Sequence, residues 1–183
     1  NIWIIVEHTD GVIKDASFEA INAGKMLAWN SGGGAVTAVV PSAGQTVPMD
    51  ALIHHGADKV LTLKHDALAH YTNAAYLAAL IPCIEEKKPD IILIPATSHG
   101  KDLAPALAAK LGAALATDCI SLETDAAGGL KVKRPIYAGK AIATLTFDNA
   151  SIKILTLRPN VFRGEGPDSS RKGELEEYAA TIP

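Results

Sequence analysis

Cysteine is nearly missing from this chain: only Cys83 and Cys119 occur in 183 residues. One lies in a helical pattern and the other in a strand pattern, too far apart in type and place for a disulfide framework or a metal motif. Both read as buried thiols of a reducing compartment. An excess of charge of either sign is missing too. The formal net charge is -3 and no segment concentrates Lys or Arg, so the field that would gather nucleic acid or anionic lipid is absent. Nucleic acid and membrane are set aside as partners. The first apolar run, Ile2-Trp3-Ile4-Ile5-Val6, is too short to span a bilayer and lacks the basic flank of a signal peptide. The expected location is the cytoplasm, or an organelle interior such as the mitochondrial matrix after processing.

Several catalytic signatures are missing as well. Without a Gly-x-Ser-x-Gly elbow, a serine hydrolase has no basis. None of the six histidines, adjacent His54-His55 included, has the i, i+4 spacing with a carboxylate that a zinc site favours. No metal is expected, and the histidines read as surface or core residues. The Gly100-Lys101 pair lacks the preceding spacing of a P-loop. Ser31-Gly32-Gly33-Gly34 follows the first helix, whereas a pyrophosphatase-type loop has to follow the first strand; a glycine helix stop accounts for it better. No residue is nominated as catalytic.

What is present is a nearly half-apolar chain, 48% hydrophobic, enough for one full core. Strand-like and helix-like stretches alternate. Ile2 to Val6 is followed by Glu7-His8-Thr9-Asp10-Gly11 turn chemistry and then by Phe18, Ala20, Ile21, Gly24 and Leu27 at helical spacing up to Trp29. Ala35 to Val40 leads through Pro41-Ser42-Ala43-Gly44 to a helix ending near Gly56. Lys59 to Leu63 precedes a helical stripe over Ala74 to Glu86, with Pro82 expected to bend it. Ile91-Ile92-Leu93-Ile94-Pro95 is uniformly apolar, as a parallel strand covered on both faces should be. The next helix presents Leu103, Leu107 and Leu111 on one face; Pro105 requires its start to be close by, with Asp102 as the cap.

From Leu115 to Arg158 strand patterns follow one another with only loops between them, which reads as an antiparallel layer added to a parallel sheet. The pattern therefore predicts an α/β fold: a mostly parallel open sheet with helices on both faces, plus a β-rich C-terminal antiparallel portion. Residues 1–163 form the domain. Residues 164–183 are polar and glycine-rich, with one possible short helix at Gly173 to Tyr178, and read as a linker.

Two stretches carry candidate sites. At the strand-to-helix junction, Thr97, Ser98, Gly100 and Lys101 put hydroxyls, helix amides and a lysine where open α/β sheets bind ligands. A packing and capping role fits the same residues equally well. Arg134-Pro135-Ile136-Tyr137-Ala138-Gly139-Lys140-Ala141 marks the end of the α/β pattern. Arg158, held in a stiff turn by Pro159, suits an interdomain contact or a carboxylate partner.

In this order and spacing, Glu7-His8, Ala69-His70-Tyr71, Pro95-Ala96-Thr97-Ser98 with Gly100-Lys101-Asp102-Leu103, Arg134 to Gly139 with Ala141-Ile142-Ala143-Thr144, and Leu157-Arg158-Pro159 with Phe162 are specific. The chain resembles the N-terminal domain of electron transfer flavoprotein α subunits. The resemblance implies an adenine-nucleotide α-hydrolase-like fold and a carrier rather than a catalyst. That carrier takes electrons from acyl-CoA and other flavin dehydrogenases and passes them to a quinone oxidoreductase or similar acceptor. It also implies FAD bound by a C-terminal domain absent here, a β subunit as partner, and AMP held in that β subunit. Arg134, Tyr137 and Arg158 become interdomain or interface candidates, and no flavin ligand is assigned to this stretch. Lys140 stands where the resemblance leads one to expect asparagine. The rival reading is a stand-alone adenine-nucleotide-binding module that uses Thr97 to Lys101.

Overall fold

The computed structural model describes residues 1–125 and 127–182; Pro183, the last residue of the expected linker, lies outside them. The chain runs β1 (Ile2–Ile5), a small hairpin of β2 (His8–Thr9) and β3 (Val12–Ile13), α1 (Asp15–Asn30), β4 (Val36–Ser42), α2 (Met49–His55) and β5 (Lys59–Lys64). It continues with α3 (Asn73–Lys87), β6 (Ile91–Pro95), α4 (Ser98–Leu111), β7 (Ala114–Cys119), β8 (Ser121–Thr124), β9 (Leu130–Ile136), β10 (Ala141–Thr146), β11 (Lys153–Leu157) and β12 (Glu174–Ala179). Among the described residues the main sheet has seven strands in the order β12-β5-β4-β1-β6-β11-β7. All its neighbouring pairs are parallel. The α/β expectation with a mostly parallel sheet therefore holds.

The side-chain period of two divides the core into two layers. On β1, Ile2, Ile4 and Val6 face α1 and α2, meeting Ala20, Ile21, Leu27, Leu52 and Ile53. Trp3 and Ile5 face the other way, onto Leu80, Ile84, Leu103 and Leu107 of α3 and α4. Strands apolar on both faces can only be central, which is why β1 and β6 lie inside the sheet. α3 continues through Pro82 to Lys87, with one helical hydrogen bond lost at the proline.

The β-rich end differs from expectation in one respect. Only β8, β9 and β10 form an antiparallel sheet. β7 and β11 instead pair parallel to each other, and β11 to β6, as members of the main sheet. A helix normally makes such a crossover, but here the antiparallel sheet fills the connection and packs Leu130, Val132 and Leu145 onto the α1 layer. Without a helical stretch between them, the two strands give no parallel signal in the sequence.

The stretch from Gly164 is the second difference. It is not an undocked linker, and no helix forms over Gly173 to Tyr178. Asp168 and Arg171 bond to the end of α2, the Asp168 amide to the His54 carbonyl at 2.9 Å and Arg171 Nε to the Ile53 carbonyl at 3.2 Å. The chain then adds β12 beside β5, with Glu174 opposite Lys59 and Ala179 opposite Lys64. Glu, Leu and Ala favour a helix locally, and the tertiary context overrides them. Lys59 and Lys87 both reach Glu176, at 2.6 and 2.7 Å, and Lys64 reaches Glu177 at 2.5 Å. No helix among the described residues is long and apolar enough to cross a membrane.

Candidate functional site

Parallel strands of an open sheet deliver their C-terminal ends to one edge, and two clusters form there. The first surrounds the start of α4. Thr97 is its N-cap: Oγ1 accepts a hydrogen bond from the Gly100 amide at 3.1 Å and donates one to Glu7 Oε2 at 2.6 Å. Glu7 follows β1, so an acidic side chain already stands at the positive end of the α4 dipole. The other carboxylate oxygen of Glu7 lies 3.5 Å from His99 Nδ1. The His99 ring stacks on Tyr71 at 4.3 Å between centroids.

Asp102 does not cap the helix as expected. It is five residues past the cap, too far along to reach the free amides, and its carboxylate turns to α3. There it accepts from Tyr71 Oη at 2.6 Å and Asn73 Nδ2 at 2.8 Å. These bonds, the tyrosine's first, hold the Asp102 carboxyl below its ordinary range. Burial, then the neighbouring carboxylate, raises the Tyr71 phenol. Burial pushes neighbouring Tyr76 up to about 12, with Glu7 adding to it. Pro105 lies in the helix interior but is exposed, where water can satisfy the carbonyl its ring leaves without a donor.

The four junction residues divide by role. Thr97 caps. Gly100 permits close packing: a Cβ there would stand 1.8 Å from the Pro95 carbonyl oxygen, so α4 approaches β6 as only glycine allows. Ser98 and Lys101 remain exposed. The cavity between Glu7, Tyr71, Tyr76, His99 and Gly100 measures about 20 Å³, room for roughly one water and far less than a small-molecule site occupies.

The second cluster is built by β7, β11 and the β9–β10 turn. β7 carries an extra residue relative to β11 between the pairs Leu155–Ala116 and Leu157–Cys119. Such a bulge re-aims a side chain. Asp118 takes up the irregularity at φ 59°, its amide bonded to the buried Thr156 hydroxyl at 2.8 Å. Its carboxylate meets Arg158 as a two-pronged pair, 2.9 Å to Nε and 2.5 Å to Nη2. Arg158 first, with Lys101 and Arg134 contributing charge, holds Asp118 below the usual carboxylate range. The carboxylate partner expected for Arg158 is thus supplied by this chain itself.

Beside this pair, Arg134 shares the inward side of β9 with Val132. Its Nε is buried without a hydrogen-bond partner. The turn that follows places Tyr137, Ala138 and Gly139 at φ 50°, 53° and 86°, a left-handed run that costs energy at the two non-glycine positions. Tyr137 is 78% exposed. Asp118, Arg134, Tyr137, Gly139 and Arg158 line one open pocket of about 430 Å³. The three residues Arg134, Tyr137 and Arg158 therefore converge, and Thr97 to Lys101 form a separate cluster linked to them by the charge of Lys101.

A cavity of about 850 Å³ lies elsewhere: at the entry end of β4 and β5, between α1, the end of α2 and residues 163–171. Trp29, 85% exposed, and Met26 stand on its wall. Sequence reasoning missed it. The available signal was an aromatic residue at the end of α1, one position past the buried helical face. Among the described residues no three His, Cys, Asp or Glu side chains converge as metal ligands.

A family model described as "Electron transfer flavoprotein domain" matches residues 2–183. The electron transfer flavoprotein subunit alpha of Bacillus subtilis is 36% identical over 181 residues, which is 99% of this chain and 54% of the relative. That of Clostridium acetobutylicum is 35% identical over 162 residues, 88% of this chain and 48% of the relative. Protein FixB of Clostridium saccharobutylicum is 32% identical over 170 residues, 92% and 50% of the two chains. The chain spans about half the length of the curated relatives it matches. With the parallel sheet, the capped α4 junction and the Arg134 to Gly139 turn in place, the chain belongs to the electron transfer flavoprotein family, and the relatives it resembles are α subunits and FixB.

Proposed function

We propose that this chain is the scaffold and partner-binding domain of an electron transfer flavoprotein α-type subunit. The observation that carries this reading is the family match along residues 2–183, combined with coverage of only about half of each α relative. The whole carrier would take electrons from dehydrogenases of the acyl-CoA type and deliver them to a quinone reductase or similar acceptor, in the cytoplasm or an organelle matrix. FAD would do the redox chemistry from a separate domain, and a β-type subunit, with its AMP, would be the standing partner.

The geometry of the sheet's C-terminal edge supports leaving the flavin off this edge. A cavity of about 20 Å³ at α4 holds neither a flavin nor an adenosine. The pocket at Arg134 offers charged side chains and turn backbone rather than the apolar walls an isoalloxazine ring needs. No step of electron transfer is therefore routed through these residues. What the chain offers is rigidity: Thr97 with Glu7, Asp102 with Tyr71, and Asp118 with Arg158 are matched within the fold. Arg134, Tyr137 and Arg158 form the interface in this reading, and any tether to a flavin domain starts after β12 instead of at Gly164.

Absorption spectra test the assignment. The 183-residue chain purified by itself is expected to be colourless, and the full-length subunit with its β-type companion yellow. Stoichiometric flavin absorbance in the short chain would overturn the reading.

A further inference from the structure

The pocket at the β9–β10 turn has an unmatched charge. Arg134 reaches inward from β9, as Val132 does two residues earlier, and its Nε is buried with no acceptor. No ion pair among the described residues includes Arg134. The only carboxylate lining the pocket, Asp118, is already engaged by Arg158. Lys101 adds a further positive charge close enough to act on Asp118. One carboxylate therefore faces two guanidinium groups across the pocket, and an unsatisfied buried donor is costly unless something supplies the acceptor.

We propose that this pocket receives a carboxylate side chain, an Asp or Glu, presented by the partner subunit, with Arg134 as its guanidinium clamp and Tyr137 as the apolar rim that excludes water from the pair. The proposal rests on the partner-scaffold reading given above and adds the chemistry of the contact. Charge complementarity argues for an acidic occupant, since arginine presents paired donors that match a carboxylate. Exposed apolar surface argues for a protein over a free anion. Tyr137 at the mouth is 78% exposed, and Ile142, opposite Pro135 across the hairpin, is 59% exposed. Such residues beside a desolvated charge pair are the composition of an interface hot spot. The edge of the sheet fits the same use, because β10 (Ala141-Ile142-Ala143-Thr144-Leu145-Thr146) carries no charge and no proline, the features that normally guard an open edge. The left-handed residues Tyr137 and Ala138 hold the tyrosine outward at a cost in strain, and strain of this kind collects where binding makes use of it.

The test uses the full-length subunit and its β-type companion, with affinity measured at several salt concentrations for the parent, Arg134→Met, Arg134→Lys and Tyr137→Ala. Arg134→Met keeps the side-chain volume and removes an unpaired polar atom, so its melting temperature should equal or exceed the parent's while its affinity falls about tenfold or more. Its salt dependence should flatten, because a charge pair has been lost. Arg134→Lys should recover part of the affinity and of the salt slope. Tyr137→Ala should weaken binding at every salt concentration. If the parent binds and Arg134→Met binds equally well with the same salt slope, the carboxylate clamp is overturned and the partner reading survives. If Arg134→Met mainly lowers the melting temperature and leaves affinity unchanged, Arg134 is structural and the clamp is again refuted. If the parent subunit does not associate at all, both readings fail together.

Discussion

Gly100→Ala separates the two roles available to the α4 junction. In a phosphate cradle a glycine serves the ligand, and an alanine would alter binding while leaving the fold intact. In the structure the glycine serves the packing. The added methyl would stand 1.8 Å from the Pro95 carbonyl oxygen and 3.0 Å from Ile94 Cγ2. Carbon and oxygen settle at about 3.3 Å or beyond, so α4 would have to recede from β6 by roughly 1.5 Å. Its buried stripe, Leu103 at 2% and Leu107 at 0% exposure, would recede with it. Overpacking of this kind costs about 1–3 kcal/mol, and the gap left under the displaced leucines adds to it, for a total near 3 kcal/mol. In a chain of this size, that corresponds to a drop of about 6–12 °C in melting temperature. Gly166→Ala is the control, since nothing lies within 4 Å of its Cβ position, and it should remain within about 0.5 kcal/mol of the parent. Calorimetry or urea unfolding of the three chains gives the answer. A Gly100→Ala protein that melts within about 2 °C of the parent would refute the argument that close approach holds α4 in place.

Acid should loosen β12 before the rest of the sheet. Lys59 and then Lys87 hold the Glu176 carboxyl below its usual range, so the stabilisation is present above the unfolded value of about 4.3 and is lost as pH falls through the lower folded value. Hydrogen exchange along Glu174–Ala179 should rise in that window, and Glu176→Gln should abolish the pH dependence at a cost of about 1 kcal/mol or less; an unchanged acid profile in the variant would count against it. Arg158→Gln should let the Asp118 carboxyl rise toward its ordinary value, because Arg158 is the main cause of its depression; carboxyl NMR titration checks this, and an unmoved midpoint would contradict the pairing. Burial pushes the Cys119 thiol up to about 12 and the Cys83 thiol to about 11. Both should ignore a thiol reagent at pH 8 until urea unfolds the chain, and fast reaction of the native protein would show that they are not enclosed.

Most of the sheet was legible because a parallel strand covered on both faces leaves a largely apolar run: β1 and β6 are unbroken, and β4 and β5 are interrupted inside only by the buried Thr37 and Thr62. Two kinds of element were harder to read. β7 and β11 are as parallel as the others, but the segment between them is an antiparallel sheet rather than a helix, so nothing local distinguished their direction. β12 has the composition of a helix, and Glu176 and Glu177 find their reason in Lys59, Lys64 and Lys87, residues far away in the sequence. The site shows the same division. Arg158 stood out by its permanent charge beside Pro159, and Arg134 and Tyr137 through the motif that carries the family resemblance. Asp118 did not, because its part depends on a bulge and a left-handed backbone that alternation does not reveal. Glu7 was visible as a polar residue at a strand tip, but only the fold brings it to Thr97.

The C-terminal edge of an open α/β sheet attracts anions because strand ends, helix amides and basic side chains gather there. Among the described residues that attraction is met from within at several places. Glu7 stands at the start of α4, Asp102 is held by Tyr71 and Asn73, and Asp118 occupies Arg158. Internal matching of this kind leaves little for a small anion to gain, since any such ligand has to displace a carboxylate already positioned without loss of translational freedom. A macromolecular partner is under no such handicap at Arg134. It can deliver a carboxylate and cover Tyr137 in the same contact, so the ordering cost is shared with the rest of its interface. Under the proposed reading, the edge that binds nucleotides in other sheets holds a protein neighbour in one orientation instead.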